Sequence, residues 1–357
     1  MSDSKNANPK WWHILITNWI IADPNYMLEV NGGPSRNYQV QKYSNMKHLY
    51  LFGGRLRTVK QLPLNLIVGG LMILLGILFW IFEASWFWHK LSPAIPIVFS
   101  YCWFISFTMF IKAATSDPGI LPRNMHLPNY PTRIKDEDDK TIEGSSSDPI
   151  VANPDEYFNT ITLPYYDDKY NGVNVKYCTT CHIWRPPRSS HCGVCNVCVV
   201  NHDHHCIYIN NCVGLRNYKY FLWFVLFTVI SNIYVTVTTF VHIFHYLSTD
   251  SNLKSFKHSI ETYPGTFVTL ILSILTLIYP LSILIIHICL TSQNLTTREY
   301  LNNVRPNKNF VHVFDTHSML KNFYITWIGR SRGVSSFRLR DQSMAGDIRL
   351  ENLPPLE

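Results

Sequence analysis

LNLIVGGLMILLGILFWIF occupies residues 64–82 and contains no Asp, Glu, Lys or Arg. A helix needs about 20 residues to cross the ~30 Å hydrocarbon core of a bilayer, and this run nearly supplies them. Taken alone, it would also suit a buried helix of a large soluble domain. Three further charge-free runs argue against that: 93–111, 220–241 and 267–291. A helix at the edge of a soluble core shows a polar face, which four such runs do not. The expectation is an α-helical integral membrane protein with spans at 62–82, 93–112, 220–242 and 265–291.

Charge placement sets the expected orientation. Of the 31 Lys and Arg, only Lys90, Lys254 and Lys257 fall after the first or third span. The other 28 lie in the arm 1–61, in 112–219 between spans two and three, or in the tail 292–357. The positive-inside rule puts those three regions in the cytosol. The formal charge of +7 then belongs to a surface beside anionic lipid headgroups, so the lipid bilayer is expected as a partner and nucleic acid is not. No cleavable signal peptide is read at the N-terminus, because the first apolar run is late and long enough to span. Residues 132–149, acidic and Ser-rich, read as a solvated linker; 11–21 (WWHILITNWII) reads either as an interfacial helix or as a packing helix.

Seven of the nine cysteines lie between 178 and 212, and the loop matches itself at an offset of fourteen. Cys178-x2-Cys181-x9-His191-x6-Cys198 recurs as Cys192-x2-Cys195-x9-His205-x6-Cys212. Each copy offers three thiolates and an imidazole, the donor set of a closed tetrahedral zinc site. A cytosolic loop is reducing, which disfavours disulfides. Two interleaved structural Zn2+ sites are therefore expected within a cysteine-rich domain at 177–219, after a cytosolic segment 113–176. Metal would supply on the order of 10 kcal/mol or more of folding free energy per site.

The repeat leaves Cys206, His204 and Asp203 over. A thiol, an imidazole and a carboxylate in this order suit a nucleophile, its base and the base's orienting acid. The competing reading, which the spacing favours less, is a spare thiol beside two supports for the metal. His182 and His202 have no place in the repeat and are expected at the surface. Cys102 and Cys289 lie within spans and read as small apolar residues.

The pattern from Cys178 to Phe221, with Asp203-His204-His205-Cys206 at its centre and Asn217 near its end, resembles the cysteine-rich domain of the DHHC protein S-acyltransferases. Asp117-Pro118-Gly119 after the second span and Thr296-Thr297-Arg298-Glu299 after the fourth match two more motifs of that family. Residues 53–60, 114–128, 183–192 and 296–301 look like the fungal Ras palmitoyltransferase branch. The resemblance implies palmitoyl transfer through Cys206, with His204 as base, Asp203 orienting it and both zincs structural. It further implies palmitoyl-CoA as donor, a Ras-type protein substrate, a small accessory subunit and residence in the endoplasmic reticulum membrane. Arg185, Arg188 and Lys219 are candidates for the CoA phosphates, or for lipid headgroups and solvent alone. Asp117 and Glu299 are expected to dock the cysteine-rich domain. Tyr208 stands where most members carry Trp, and Ile207 replaces a common proline. A non-enzymatic zinc-stabilised adaptor and a membrane ubiquitin ligase are the competing readings. A RING-type ligase, though, has longer gaps between ligand pairs and no thiol beside an Asp-His pair.

Overall fold

The computed structural model describes residues 21–22, 48–51, 56–59, 64–121, 160–163, 173–247, 255–307 and 312–329. Its short strands are β1 (Ile21–Ala22), β2 (His48–Leu51), β3 (Leu56–Val59), β4 (Thr160–Leu163), β5 (Val173–Cys178), β6 (Ile183–Trp184), β7 (Ser190–Cys192), β8 (Val197–Val199), β9 (His204–Cys206) and β10 (Asn211–Val213). The main helices are α1 (Leu64–Lys90), α2 (Ala94–Thr115), α3 (Tyr218–Phe244), α4 (Phe256–Thr262) and α5 (Pro264–Ser292), followed by the short α6 (Thr297–Glu299) and α7 (Met319–Phe323). Residues 11–20 and the linker 132–149 lie outside the described residues, and Ile21 opens a strand paired with β2.

Among the described residues α1, α2, α3 and α5 are each long and apolar enough to cross a membrane. Outward residues such as Leu66, Ile67, Leu275 and Ile278 are more than half exposed, as expected of side chains that face lipid. Lipid offers no hydrophobic drive for helix association, so packing and interhelical hydrogen bonds must supply it. Trp103 Nε1 donates to the Met72 carbonyl (2.8 Å) and joins α2 to α1. Ser106 and Thr228 hydroxyls meet at 2.7 Å between α2 and α3, and Thr276 donates to Asn232 Oδ1 (2.7 Å) between α5 and α3.

The α1 helix outlasts the charge-free run. It passes through a π-helical turn at Trp80–Ala84 and continues to Lys90. That turn buries Glu83 completely, 2.8 Å from Nδ1 of the equally buried His242 on α3.

The chain forms two compact units. Among the described residues, the first includes 117–121 and 173–202, and the second includes 64–116, 203–247, 255–307 and 312–329. In the first unit the Asp117-Pro118-Gly119 turn is shaped by Asp117 Oδ1, which accepts from the amides of Gly119 (2.9 Å) and Ile120 (3.0 Å). Gly119 sits at φ 105°, a conformation that L side chains resist. The turn delivers Ile120 to an antiparallel bridge with Val199, flanked by Leu121 N–H to Cys198 O (2.9 Å) and Val200 N–H to Gly119 O (2.8 Å).

In the second unit the polar tail folds back on the helices. Asn322 Nδ2 donates to the Ser292 carbonyl at the end of α5 (2.8 Å), and Trp327 Nε1 donates to Thr291 Oγ1 (3.1 Å). Residues 322 and 327 of the tail thus hold the end of α5 in place.

Candidate active site

Both copies of the fourteen-residue repeat become antiparallel hairpins. In β7–β8, His191 faces Cys198 across the strands; in β9–β10, His205 faces Cys212. Asn196 and Asn210 take the left-handed turn positions (φ 54° and 49°), where Asn is tolerated. In the first unit, Sγ of Cys178, Cys181 and Cys198 lie 3.6, 3.4 and 3.8 Å from His191 Nδ1. Zn–S near 2.3 Å and Zn–N near 2.0–2.1 Å at a tetrahedral angle place S and N about 3.6 Å apart. The set is therefore spaced to hold one zinc.

Of the second set, Cys195 N–H contacts Cys192 Sγ at 3.5 Å within the first unit, and Cys212 Sγ lies 3.6 Å from His205 Nδ1 within the second. All nine cysteines are free of disulfides. The chain therefore carries Cys3His donors for two zinc ions.

Strand geometry separates the two adjacent histidines. Successive side chains on a strand point to opposite faces, so His205 turns toward Cys212 while His204 and Cys206 share the other face. On that face His204 Nδ1 lies 2.6 Å from Asp203 Oδ2, and the His204 side chain also hydrogen-bonds Cys206. Asp203 is 2 % exposed and accepts twice more: from the Thr297 amide to Oδ1 (2.7 Å) and from Thr297 Oγ1 to Oδ2 (2.8 Å).

Burial alone would raise the Asp203 carboxyl, but the His204 bond and charge, with the Thr297 amide, hold it well below the usual carboxylate range. Burial likewise opposes a charged His204, yet the bonds to Asp203 and Cys206 outweigh it and raise the ring to about 10. This imidazole can keep a proton taken from the neighbouring thiol at neutral pH.

Asn211 and Asn217 hold the β9–β10 hairpin against the end of α2, and Asn210 ties it to β3. Asn211 Nδ2 donates to the carbonyls of Ala113 (3.1 Å) and Ser116 (2.8 Å), which the end of α2 leaves without intrahelical partners. Asn217 Nδ2 reaches Ala113 O (3.2 Å) and Cys212 O (2.8 Å), and Asn210 Nδ2 reaches Val59 O (2.9 Å). Cys206 is thereby buried in an apolar cluster with Phe110, Phe221, Val225 and Leu284, drawn from α2, α3 and α5. Tyr208 packs on Tyr279 of α5 with ring centroids 4.7 Å apart, so an aromatic contact is kept where the family's Trp is missing.

One expectation is corrected. His202 is not at the surface: it is 3 % exposed, and its backbone amide donates to the Arg188 carbonyl (3.1 Å). In the 296–299 motif Thr297 contacts Asp203, and Glu299 closes a capping box with Thr296 that sets the α6 turn and so aims Thr297.

The candidate phosphate ligands fall in different units, Arg185 and Arg188 in the first and Lys219 in the second. Arg185 Nε donates to Lys176 O (3.3 Å), and Arg188 adopts φ 62°. Lys219 Nζ lies 5.4 Å from the Tyr220 ring, and Lys112, which sequence reasoning passed over, lies 5.6 Å from the same ring. Thr297 and His287 were also missed as members of the site. Each meets Asp203 only across more than eighty residues of chain, a separation no local pattern records.

Four apolar helices, two Cys3His donor sets and a buried thiol beside an imidazole–carboxylate pair make up the architecture of a membrane-embedded acyltransferase. The chain belongs to the DHHC palmitoyltransferase family, whose model matches residues 173–304. It is 50% identical over 360 residues to palmitoyltransferase ERF2 of Debaryomyces hansenii, covering 98% of this chain and 93% of that one. Palmitoyltransferase ERF2 of Kluyveromyces lactis is 33% identical over 362 residues (98% and 92% covered), and palmitoyltransferase erf2 of Schizosaccharomyces pombe 34% over 365 (94% and 96%). The protein is a protein S-palmitoyltransferase that takes palmitoyl-CoA as acyl donor, which sets aside the adaptor and ligase readings.

Proposed function

We propose that Cys206 carries the acyl group, that His204 is its base and that Asp203 orients His204, on a protein substrate of the Ras type. The observation that carries this reading is the row Cys206–His204–Asp203–Thr297, whose thiol end is buried among the helices. His204 takes the thiol proton, and the Cys206 sulfur forms a bond to the acyl carbonyl carbon. The carbon–sulfur bond to CoA breaks, and CoA leaves as a thiolate that takes up a proton. A substrate cysteine then attacks acyl-Cys206 in the same way and releases the enzyme thiol. Both donor and product are thioesters, so the enzyme's task is placement: a lipid tail, a nucleotide and a protein thiol must meet at one interface. Burial of the tail among the helices is favourable by roughly 0.8 kcal/mol per methylene.

Both zinc ions are structural in this reading, because each closed Cys3His shell leaves no position for substrate. Cys178, Cys181, His191 and Cys198 hold one, and Cys192, Cys195, His205 and Cys212 the other. Arg185, Arg188 and Lys219 bind the CoA phosphates. Residues 1–61, 113–219 and 292–357 face the cytosol, the membrane is that of the endoplasmic reticulum, and a small accessory subunit works with this chain.

The test is incubation of purified protein with labelled palmitoyl-CoA and a Ras-type acceptor, with and without the accessory subunit. Label on the enzyme that hydroxylamine releases, that is absent from Cys206→Ser and that passes to the acceptor supports the reading. Label retained by Cys206→Ser refutes it.

A further inference from the structure

A second imidazole stands behind the catalytic pair. His287 lies near the end of α5, is 5 % exposed, and has Nδ1 2.9 Å from the hydroxyl of the buried Tyr218. One of its nitrogens lies within 4.8 Å of donor atoms of both Asp203 and His204. The two imidazole centroids are 6.0 Å apart, and both rings meet Phe221 edge-on, His204 at 5.4 Å and His287 at 5.2 Å. Phe221 thus walls both rings into one arrangement. A polar ring inside a membrane-spanning helix is costly unless it is partnered and used. The three donations that Asp203 receives from Thr297 and His204 leave part of a carboxylate's roughly four acceptor positions open.

We infer that His287, held by Tyr218, is a positioning residue for acyl transfer: it turns an N–H toward the Asp203–His204 pair and keeps His204 aimed at Cys206. With the Tyr218 hydroxyl donating to Nδ1, a neutral His287 carries its proton on Nε2, as this role requires. His287 neither gains nor loses a proton in the reaction; its dipole and its shape fix the carboxylate. The inference rests on the proposed roles of Cys206, His204 and Asp203.

The experiment is single-turnover acylation of the purified full chain across a range of palmitoyl-CoA concentrations, with zinc content measured in parallel. The variants are His287→Leu, His287→Gln, Tyr218→Phe and the double variant His287→Leu/Tyr218→Phe, with Cys206→Ser as reference. His287→Leu should lower the limiting rate by about tenfold or more, a share of the ~10²–10⁴ that general-base catalysis supplies. Half-saturation and the two zincs should stay unchanged. His287→Gln, whose side-chain amide can still donate, should recover most of the loss. Tyr218→Phe should lose less, and the double variant should fall no further than His287→Leu, since the two act as one unit.

Equal rates for the Leu and Gln variants would reduce His287 to packing and overturn the inference, as would an effect on half-saturation alone. So would a third zinc equivalent that His287→Leu loses, which would make Asp203, His204 and His287 a metal site. Should His287→Leu fail to retain two zincs, Tyr218→Phe decides, because it removes a single oxygen; an unchanged limiting rate then overturns the role. Label on Cys206→Ser refutes the nucleophile assignment instead, so the two failures are distinct.

Discussion

His204 and His205 are neighbours that a strand sends to opposite faces, one toward Cys206 and one toward Cys212, and the proposed function gives them different roles. Cys206→Ser should therefore abolish acylation and leave zinc at two per chain by metal analysis, whereas His205→Ala should lose one equivalent. The same geometry gives a pH test with a definite sign. His204 is raised to about 10, so below that pH it can hold the proton taken from Cys206. In His204→Ala the thiol loses its proton acceptor, so acyl-enzyme formation should be low at pH 7 and climb as the pH is raised and thiolate forms without help. His205→Ala should show no such recovery, because pH does not rebuild a missing zinc ligand. Measuring acyl-enzyme against pH in both variants checks the split; recovery in His205→Ala alone would mean the roles are exchanged. The assignment of His205 was legible in the sequence because a Cys3His shell repeats residue types at fixed spacing. The grouping of His204 with Asp203 and Cys206 was legible too, as the triplet the repeat leaves over, whereas the contact of Thr297 with Asp203 was not, because Thr297 approaches from the far end of the chain.

At the scale of elements, the α6 turn and the π-helical turn of α1 each place a polar group that pattern reading leaves open. Thr296-Thr297-Arg298-Glu299 stands out as a motif, yet only the folded turn shows that Thr296 and Glu299 cap each other while Thr297 reaches Asp203. Thr297→Val removes the hydroxyl bond and keeps the amide bond. Because a hydrogen bond to a charged group contributes about 1.5–3 kcal/mol, it should slow acylation roughly tenfold or more with zinc unchanged. A rate equal to wild type in single-turnover labelling would deny the hydroxyl a part. Glu83 escaped the reading of 64–82 because a charged residue just past an apolar run resembles a loop, whereas the π-helical turn carries it inward to His242. Removing one partner of a buried hydrogen bond leaves the other unsatisfied at a cost of about 1–3 kcal/mol or more, while replacing both partners with apolar groups can be nearly neutral. Glu83→Leu should accordingly lower the thermal midpoint in detergent well below wild type, and Glu83→Leu/His242→Leu should regain most of it. If the double variant is as unstable as the sum of the singles, the pair is not what stabilises this turn.

For the whole molecule, the apolar runs fixed how many helices can span, but their direction rests on charge alone. Of the 31 basic residues, only Lys90, at the end of α1, and Lys254 and Lys257, between α3 and α5, lie outside the arm, the 112–219 segment and the tail. The orientation that puts the remaining 28 in the cytosol also puts Cys206 where CoA is found. It has a consequence for a short sequence already present: Asn294-Leu295-Thr296 is a glycosylation acceptor triplet that directly follows α5. In the proposed orientation it faces the cytosol and should carry no glycan. An acceptor triplet inserted between 248 and 254, in the connection after the third span, should be modified in microsomes and lose its glycan on endoglycosidase treatment. One inserted within 132–149 should not. A glycan in 132–149 and none in 248–254 would invert the orientation. Such a result would separate the thiol from its donor and leave the row of Cys206, His204 and Asp203 without access to palmitoyl-CoA.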